Sequence, residues 1–169
     1  MIDAIIKSNT RRKLLIKFFV NIANTGYLNQ LAEEFSESTN SVRKELNNLT
    51  KANYLVKNVV KNKVVYKANT SHPLFSEVQN IVKKHLGFEK IVETLLEKIG
   101  DVNQIFLIGD YAKGIDSNMV EILIIGNKFN IDYIMGIEKK LSKILKKKIV
   151  IMTSSSNHSS LNKLLVFSS

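Results

Sequence analysis

The spacing of apolar residues changes period along this chain, and that change limits its possible folds more than any other feature. Between Leu14 and Leu49 apolar positions recur three and four apart, and over residues 54–68 valines alternate with lysines. Helical spacing returns over residues 75–99, and residues 102–108 and 120–125 are apolar, β-branched runs ending at Gly109 and Gly126. A stripe every 3.6 residues belongs to an amphipathic helix, alternation to a half-buried strand, and an unbroken β-branched run to a buried strand. The order predicts an α+β protein, with helices and a hairpin first and a small α/β sheet last.

In the first half, Leu14, Leu15, Phe18 and Phe19 define one helix, with Arg11, Arg12, Lys13 and Lys17 on its other side. A second, short helix over 29–35 turns Leu31, Ala32 and Phe35 inward. Ser38 is a suitable N-cap for a third, because its hydroxyl can accept a free amide of the first turn. In that helix Val42, Leu46 and Leu49 form the inner stripe, Arg43, Lys44, Asn47, Asn48 and Lys51 lie opposite, and Asn53 is an αL terminator. Residues 54–60 and 64–68 flank the turn Lys61-Asn62-Lys63 and read as a hairpin, one face packing on the helices and the other presenting charge. Helix, short helix, turn, polar-faced helix and basic hairpin is the plan of a winged helix-turn-helix. Its third helix suits a major groove about 12 Å wide, and Asn and Arg are the side chains that pair with adenine and guanine edges.

Charge points the same way. The chain carries a formal +10; residues 1–86 hold 14 basic and 6 acidic side chains, and residues 87–169 hold 11 and 9. A basic half joined to a near-neutral half implies a polyanion partner for the first, with lysines of the wing and first helix neutralising phosphates. A solvated lysine-rich surface explains the total equally well, though not its position.

The stretch LNQLAEEFSESTNSVRKELNNLTKANYLV resembles the helix-turn-helix of ArsR- and MarR-like bacterial and archaeal regulators. KVVYKANTSHPLFSEVQNIVKK resembles the wing exit and connecting helix of one subgroup, which passes through an Asn-x-x-His-Pro-Leu segment, here residues 69–74. The resemblance covers roughly residues 10–86. It implies DNA contacts from Thr39, Asn40, Ser41, Arg43, Lys44 and Asn47, and from Lys57, Lys61 and Lys63 of the wing, in a homodimer on double-stranded DNA.

In the second half, Pro73 reads as the first residue of a helix running to about Leu86, and Phe88 to Ile99 as another, closed by Gly100. Two strands follow, then a helix capped by Asn130 and running to about Lys146, a third strand over 149–152, and a serine-rich tail read as a loop with a short docked helix. FLIGDYAKGIDSNMVEILIIG resembles the core of the minimal nucleotidyltransferase superfamily. That family carries a Gly-Ser turn, an Ala-Arg/Lys-Gly stretch, and two aspartates one residue apart that hold catalytic metals. This chain keeps Gly109, Ala112, Lys113 and Gly114 but has Asp110 for the serine, Met119 for the first aspartate and Glu121 for the second. Asp110 repels phosphate, and a thioether does not bind magnesium.

The resemblance therefore implies a degenerate transferase, with Gly109, Asp110, Lys113 and Glu121 as a possible residual nucleotide site, no catalytic residues, no metal and no cofactor. Ligand sensing and dimerisation are both open roles for it. The bland alternative is that Gly109, Gly114 and Gly126 are turn glycines of an α/β sandwich. The organisation expected is residues 1–70 for DNA binding, 71–100 for linker and dimerisation helices, and 101–169 for the transferase-like domain.

Several classes are set aside. With no cysteine there is no disulfide framework, and His72, His85 and His158 lack metal-ligand spacing. There is no phosphate-loop or dinucleotide fingerprint. The start MIDAIIKSNT lacks the pattern of a signal peptide, and runs such as residues 122–125 are too short to span a bilayer, so a cytoplasmic protein away from membranes is expected. The run over residues 139–148 is strongly basic, read first as a solvated helix face and second as a further phosphate surface. The competing functions are an active nucleotidyltransferase acting on a small molecule, RNA or protein, and a scaffold that uses the winged helix to bind protein or ligand.

Overall fold

The computed structural model describes residues 2–97, 99–156 and 162–169. The chain is mixed α and β, with one sheet in each of two units, Met1–His85 and Leu86–Ser169.

The first unit begins with the single-turn helix α1 (Ile2–Ile5) and continues into α2 (Asn9–Phe19), whose N-cap Ser8 accepts the Arg11 amide at 3.2 Å. Leu14, Phe18 and Phe19 of α2 are fully buried. Lys17 is buried with them, not on an outer face as its spacing suggested, because its ammonium reaches Glu34 at 2.7 Å. The two-residue strand β1 (Thr25–Gly26) follows, then α3 (Leu28–Phe35), which ends at Ser36 in the left-handed conformation. The third helix expected from the sequence is α4 (Thr39–Lys51), capped as expected by Ser38, which accepts the Ser41 amide at 3.1 Å. Asn53 takes the expected positive φ, 61°.

The hairpin consists of β2 (Leu55–Val60) and β3 (Lys63–Ala68), and β3 also pairs with β1, so the sheet order is β1-β3-β2. Two details differ from expectation. The turn has two residues, Lys61 and Asn62, both at positive φ, and Lys63 is already in the ladder opposite Val60. That is the backbone of a tight hairpin whose twist matches its strands. Val59, Val60 and Val64 are also exposed, so the valines near the hairpin tip do not pack on the helices as their alternation suggested.

The chain leaves the hairpin through a turn in which His72 Nδ1 accepts the Leu74 amide at 3.1 Å and the His72 ring lies 4.1 Å from Tyr54. Pro73 lies in that turn, two residues before α5 (Phe75–His85), rather than as the first residue of the helix. Phe75 stacks on Phe19 with ring centres 5.4 Å apart, and Gln79 donates to the Phe19 carbonyl at 3.1 Å, which seats α5 in the first unit.

The second unit opens with α6 (Phe88–Leu96), so the stretch 71–100 contributes one helix to each unit. Strand β4 (Asp101–Ile108), the short helix α7 (Gly109–Ala112), strand β5 (Met119–Asn127), helix α8 (Ile131–Leu145) and strand β6 (Lys148–Ser154) follow. The tail forms strand β7 (Leu164–Ser168), antiparallel to β4, where a docked helix was expected. The sheet order is β6-β5-β4-β7, with β5 and β6 parallel across the α8 crossover and β4 antiparallel to both neighbours.

Residues 120–126 of β5 are almost all buried, the mark of a strand covered on both faces. Phe106, Ile108, Leu123 and Ile125 form one core cluster. Asn130 caps α8 by accepting the Tyr133 amide at 3.0 Å. Two side chains of α8 also satisfy backbone donors of β6, Glu138 accepting from Ile151 at 2.8 Å and Ser142 from Ile149 at 3.3 Å. Part of the serine-rich tail, with His158, lies outside the described residues. No described helix is long and apolar enough to cross a membrane.

Candidate nucleic-acid interface

Helix α4 is split into two faces by its own sequence. Val42, Leu46 and Leu49 point inward, while Thr39, Asn40, Ser41, Arg43, Lys44 and Asn47 are all exposed, together with Asn48 and Lys51. Ser38 and Ser41 share a hydroxyl contact of 2.9 Å at the start of the helix, and Arg43 Nη1 lies 3.3 Å from Asn40 Oδ1. The donors and acceptors suited to base edges thus stand in one row over the first three turns.

Residues 38–70 contain seven basic side chains and one acid, Glu45. Glu45 is buried, with its Oε2 2.8 Å from Arg11 Nε of α2. Burial alone would raise its carboxyl, but hydrogen bonds from Arg11 and Ser8, the Arg11 charge and Asn48 outweigh that, and the net direction is downward. The carboxylate stays ionised and stays inside, so the outer face of α4 carries cations and neutral polar groups only.

The same arrangement recurs on α2. Lys13 holds Glu37 at 3.0 Å, with Asn9 donating to the same carboxylate at 2.9 Å, and Lys17 holds Glu34. The Lys13 hydrogen bond leads the causes that hold the Glu37 carboxyl below its usual range, with burial opposing and the Lys13 charge, Asn9 and Thr10 assisting. Two lysines of the first helix that were expected at phosphates, Lys13 and Lys17, are thus already paired with acids. The α2 cations Arg11, Lys13 and Lys17 are engaged with acids of α3, α4 and the turn between them.

On the hairpin, Lys57, Lys61 and Lys63 are exposed, as is Lys67. Lys63 Nζ sits 4.6 Å from the centre of the Tyr27 ring, a cation–π contact that orders this lysine over the start of α3. Spacing alone did not reveal Tyr27, since its role depends on the β1–β3 pairing.

The candidate residues of the second unit also come together in part. Glu121 pairs with Ile108 across the β4–β5 ladder, which carries its carboxylate onto Gly109. A methyl group built on Gly109 would overlap Glu121 Oε2, and Gly109 has φ 61°. Asp110 is half-buried in the first turn of α7, while Lys113 is exposed beyond its end. Met119 and Glu121 alternate on one face at the start of β5.

Asp116, the other carboxylate nearby in sequence, is held by Lys147 at 2.7 Å and accepts from the Tyr111 hydroxyl at 3.0 Å. Burial, and then the Asp116 charge, push the Tyr111 phenol far above its ordinary range. Among the described residues no group of three or more acidic or histidine side chains is placed to hold a metal ion. A two-metal transferase centre does not fit this donor set.

Compared with protein-family models, curated proteins and solved structures, the chain shows no match.

Proposed function

We propose that the chain is a sequence-specific DNA-binding transcriptional regulator of the winged helix-turn-helix type, with α4 as the reading helix and the β2–β3 hairpin as the wing. One observation carries this reading. The outer face of α4 offers Asn40, Arg43, Lys44 and Asn47 without a negative charge, because its only acid is ion-paired on the inner side. A helix of this composition can enter the major groove of a polyanion without repulsion, and its Asn and Arg side chains can make paired hydrogen bonds to bases. Lys57, Lys61 and Lys63 supply the phosphate contacts that set affinity but carry no sequence information.

A single reading helix covers one half-site, so the operator has two-fold symmetry and the regulator acts as a homodimer. The second unit, in this reading, is a nucleotidyltransferase-like domain without catalysis, used for dimerisation or for sensing a nucleotide or other small ligand. The donor set around Glu121, which leaves Asp116 tied to Lys147, supports the loss of catalysis.

The test is selection of bound sequences from random duplex DNA by the full chain. Enrichment of a roughly palindromic motif is expected, and Arg43→Ala or Asn47→Ala should lower discrimination between winner and scrambled duplex by about 1–3 kcal/mol for each base pairing removed. A folded chain that enriches no motif, or whose discrimination survives both substitutions, overturns the proposal.

A further inference from the structure

Residues 133–169 repeat the charge pattern of residues 38–70, with seven lysines and a single acid, Glu138. Here too the acid is turned inward, where its Oε1 accepts the Ile151 amide of β6 at 2.8 Å. Of the lysines on and just after α8, Lys140 is paired with Glu97 and Lys147 with Asp116. Lys139, Lys143, Lys146 and Lys148 are exposed, and no described acid pairs with them. Lys139 and Lys143, four residues apart, share one face of α8, and Lys146 follows them at the C-cap of the helix, with φ 53°.

Four uncompensated cations this close repel one another, so the cluster weakens the fold unless an anion meets it. Glu138, the one acid of residues 133–169, is engaged with β6 and does not pair with them. We infer that this lysine cluster is a second phosphate-binding surface, used by the second unit to hold the backbone of duplex DNA without reading its bases. The choice of duplex DNA as the polyanion rests on the proposed function of α4. The complementarity itself is one of sign, since a duplex presents a continuous line of negative charge, one per about 1.7 Å of axis.

The experiment uses the full chain and a labelled random-sequence duplex, with affinity measured across a series of salt concentrations. The triple variant Lys139→Gln, Lys143→Gln, Lys146→Gln should lower the slope of log affinity against log salt by roughly 2 to 3, at about 0.9 for each phosphate no longer neutralised. A control variant with the same charge change, Lys7→Gln, Lys90→Gln, Lys128→Gln, uses exposed lysines outside this cluster, α4 and the wing, and should leave the slope unchanged. An unchanged slope in the first variant overturns the inference, as does an equal fall in both, which would report net charge alone. Base discrimination should be untouched by either variant. Loss of the reading by α4 would appear instead in the Arg43 and Asn47 variants, so the two proposals fail separately.

Discussion

Arg11 Nε and Glu45 Oε2 lie 2.8 Å apart, and this ion pair holds the only acidic side chain of α4 on the inner side of its helix. The pair therefore does two things. It satisfies a buried carboxylate, and it keeps the face opposite Val42, Leu46 and Leu49 free of negative charge.

Removing the cation should expose the first of these roles. Arg11→Met leaves Glu45 buried without its ionic partner, and the expected cost is about 1–3 kcal/mol in urea unfolding, toward the low end because the Arg11 side chain is 41% exposed. Glu45→Gln removes the charge as well and should cost less than Arg11→Met. The reverse order would mean that Glu45 is not held by Arg11 in solution.

Acid should act on the same ion pairs. Glu37 and Glu45 both have carboxyls held below the ordinary value of 4.5 in the folded chain. A depressed folded value means that the unfolded chain takes up the proton first. The stability due to these groups is thus complete above pH 4.5 and is lost as pH falls through the folded values. Urea unfolding between pH 7 and pH 3 should show this loss, and Glu37→Gln with Glu45→Gln should flatten it. An acid limb of unchanged steepness in the double variant would assign the loss to other groups.

These ion pairs also mark where the sequence was legible and where it was not. Ser38, the Val42–Leu46–Leu49 stripe and Asn53 determine α4 locally, through a cap, a periodicity and a left-handed terminator, so its limits could be read directly. Lys17 could not be read, because a lysine on a helix is ordinarily solvated, and its burial depends on Glu34 of a different helix. Strand β1 has two residues and therefore no period to detect; only its pairing with Lys67 and Tyr66 makes it a strand. The tail was ambiguous for a related reason. A four-residue apolar run, Leu164 to Phe167, fits a strand or a helix turn equally, and the open edge of β4 determines which one forms. The resemblance to nucleotidyltransferases identified Glu121 but not its seat on Gly109, which depends on the register of β4 and β5.

The hairpin turn separates stability from DNA affinity at one residue. Lys61 has φ 47°, a conformation that disfavours any residue with a Cβ and β-branched residues most. Lys61→Gly should therefore fold at least as stably as the parent, while its salt slope on duplex DNA falls by about 1. Lys61→Val should lose the same phosphate interaction and, in addition, about 1 kcal/mol or more of stability. Equal stability of the two variants would show that the turn does not hold this backbone in solution.

The β4–β5 register brings Gly109 and Glu121 together. Gly109→Ala meets two obstacles, a positive φ of 61° and a Glu121 carboxylate in the space of the new methyl group. Backbone strain alone should cost about 1–2 kcal/mol, and the clash adds to it. Glu121→Ala removes the clash but not the strain, so the double variant should be more stable than the sum of the single losses implies, a coupling of about 0.5 kcal/mol or more in a double-mutant cycle. The same Glu121 variants test the chemistry of this site. Incubation with labelled nucleotide and magnesium or manganese should give no transfer above background in the parent chain, and Glu121→Gln should change nothing. Transfer by the parent that Glu121→Gln abolishes would restore a working carboxylate to this strand and overturn the non-catalytic reading. Additivity in the cycle would instead place the Glu121 side chain away from Gly109.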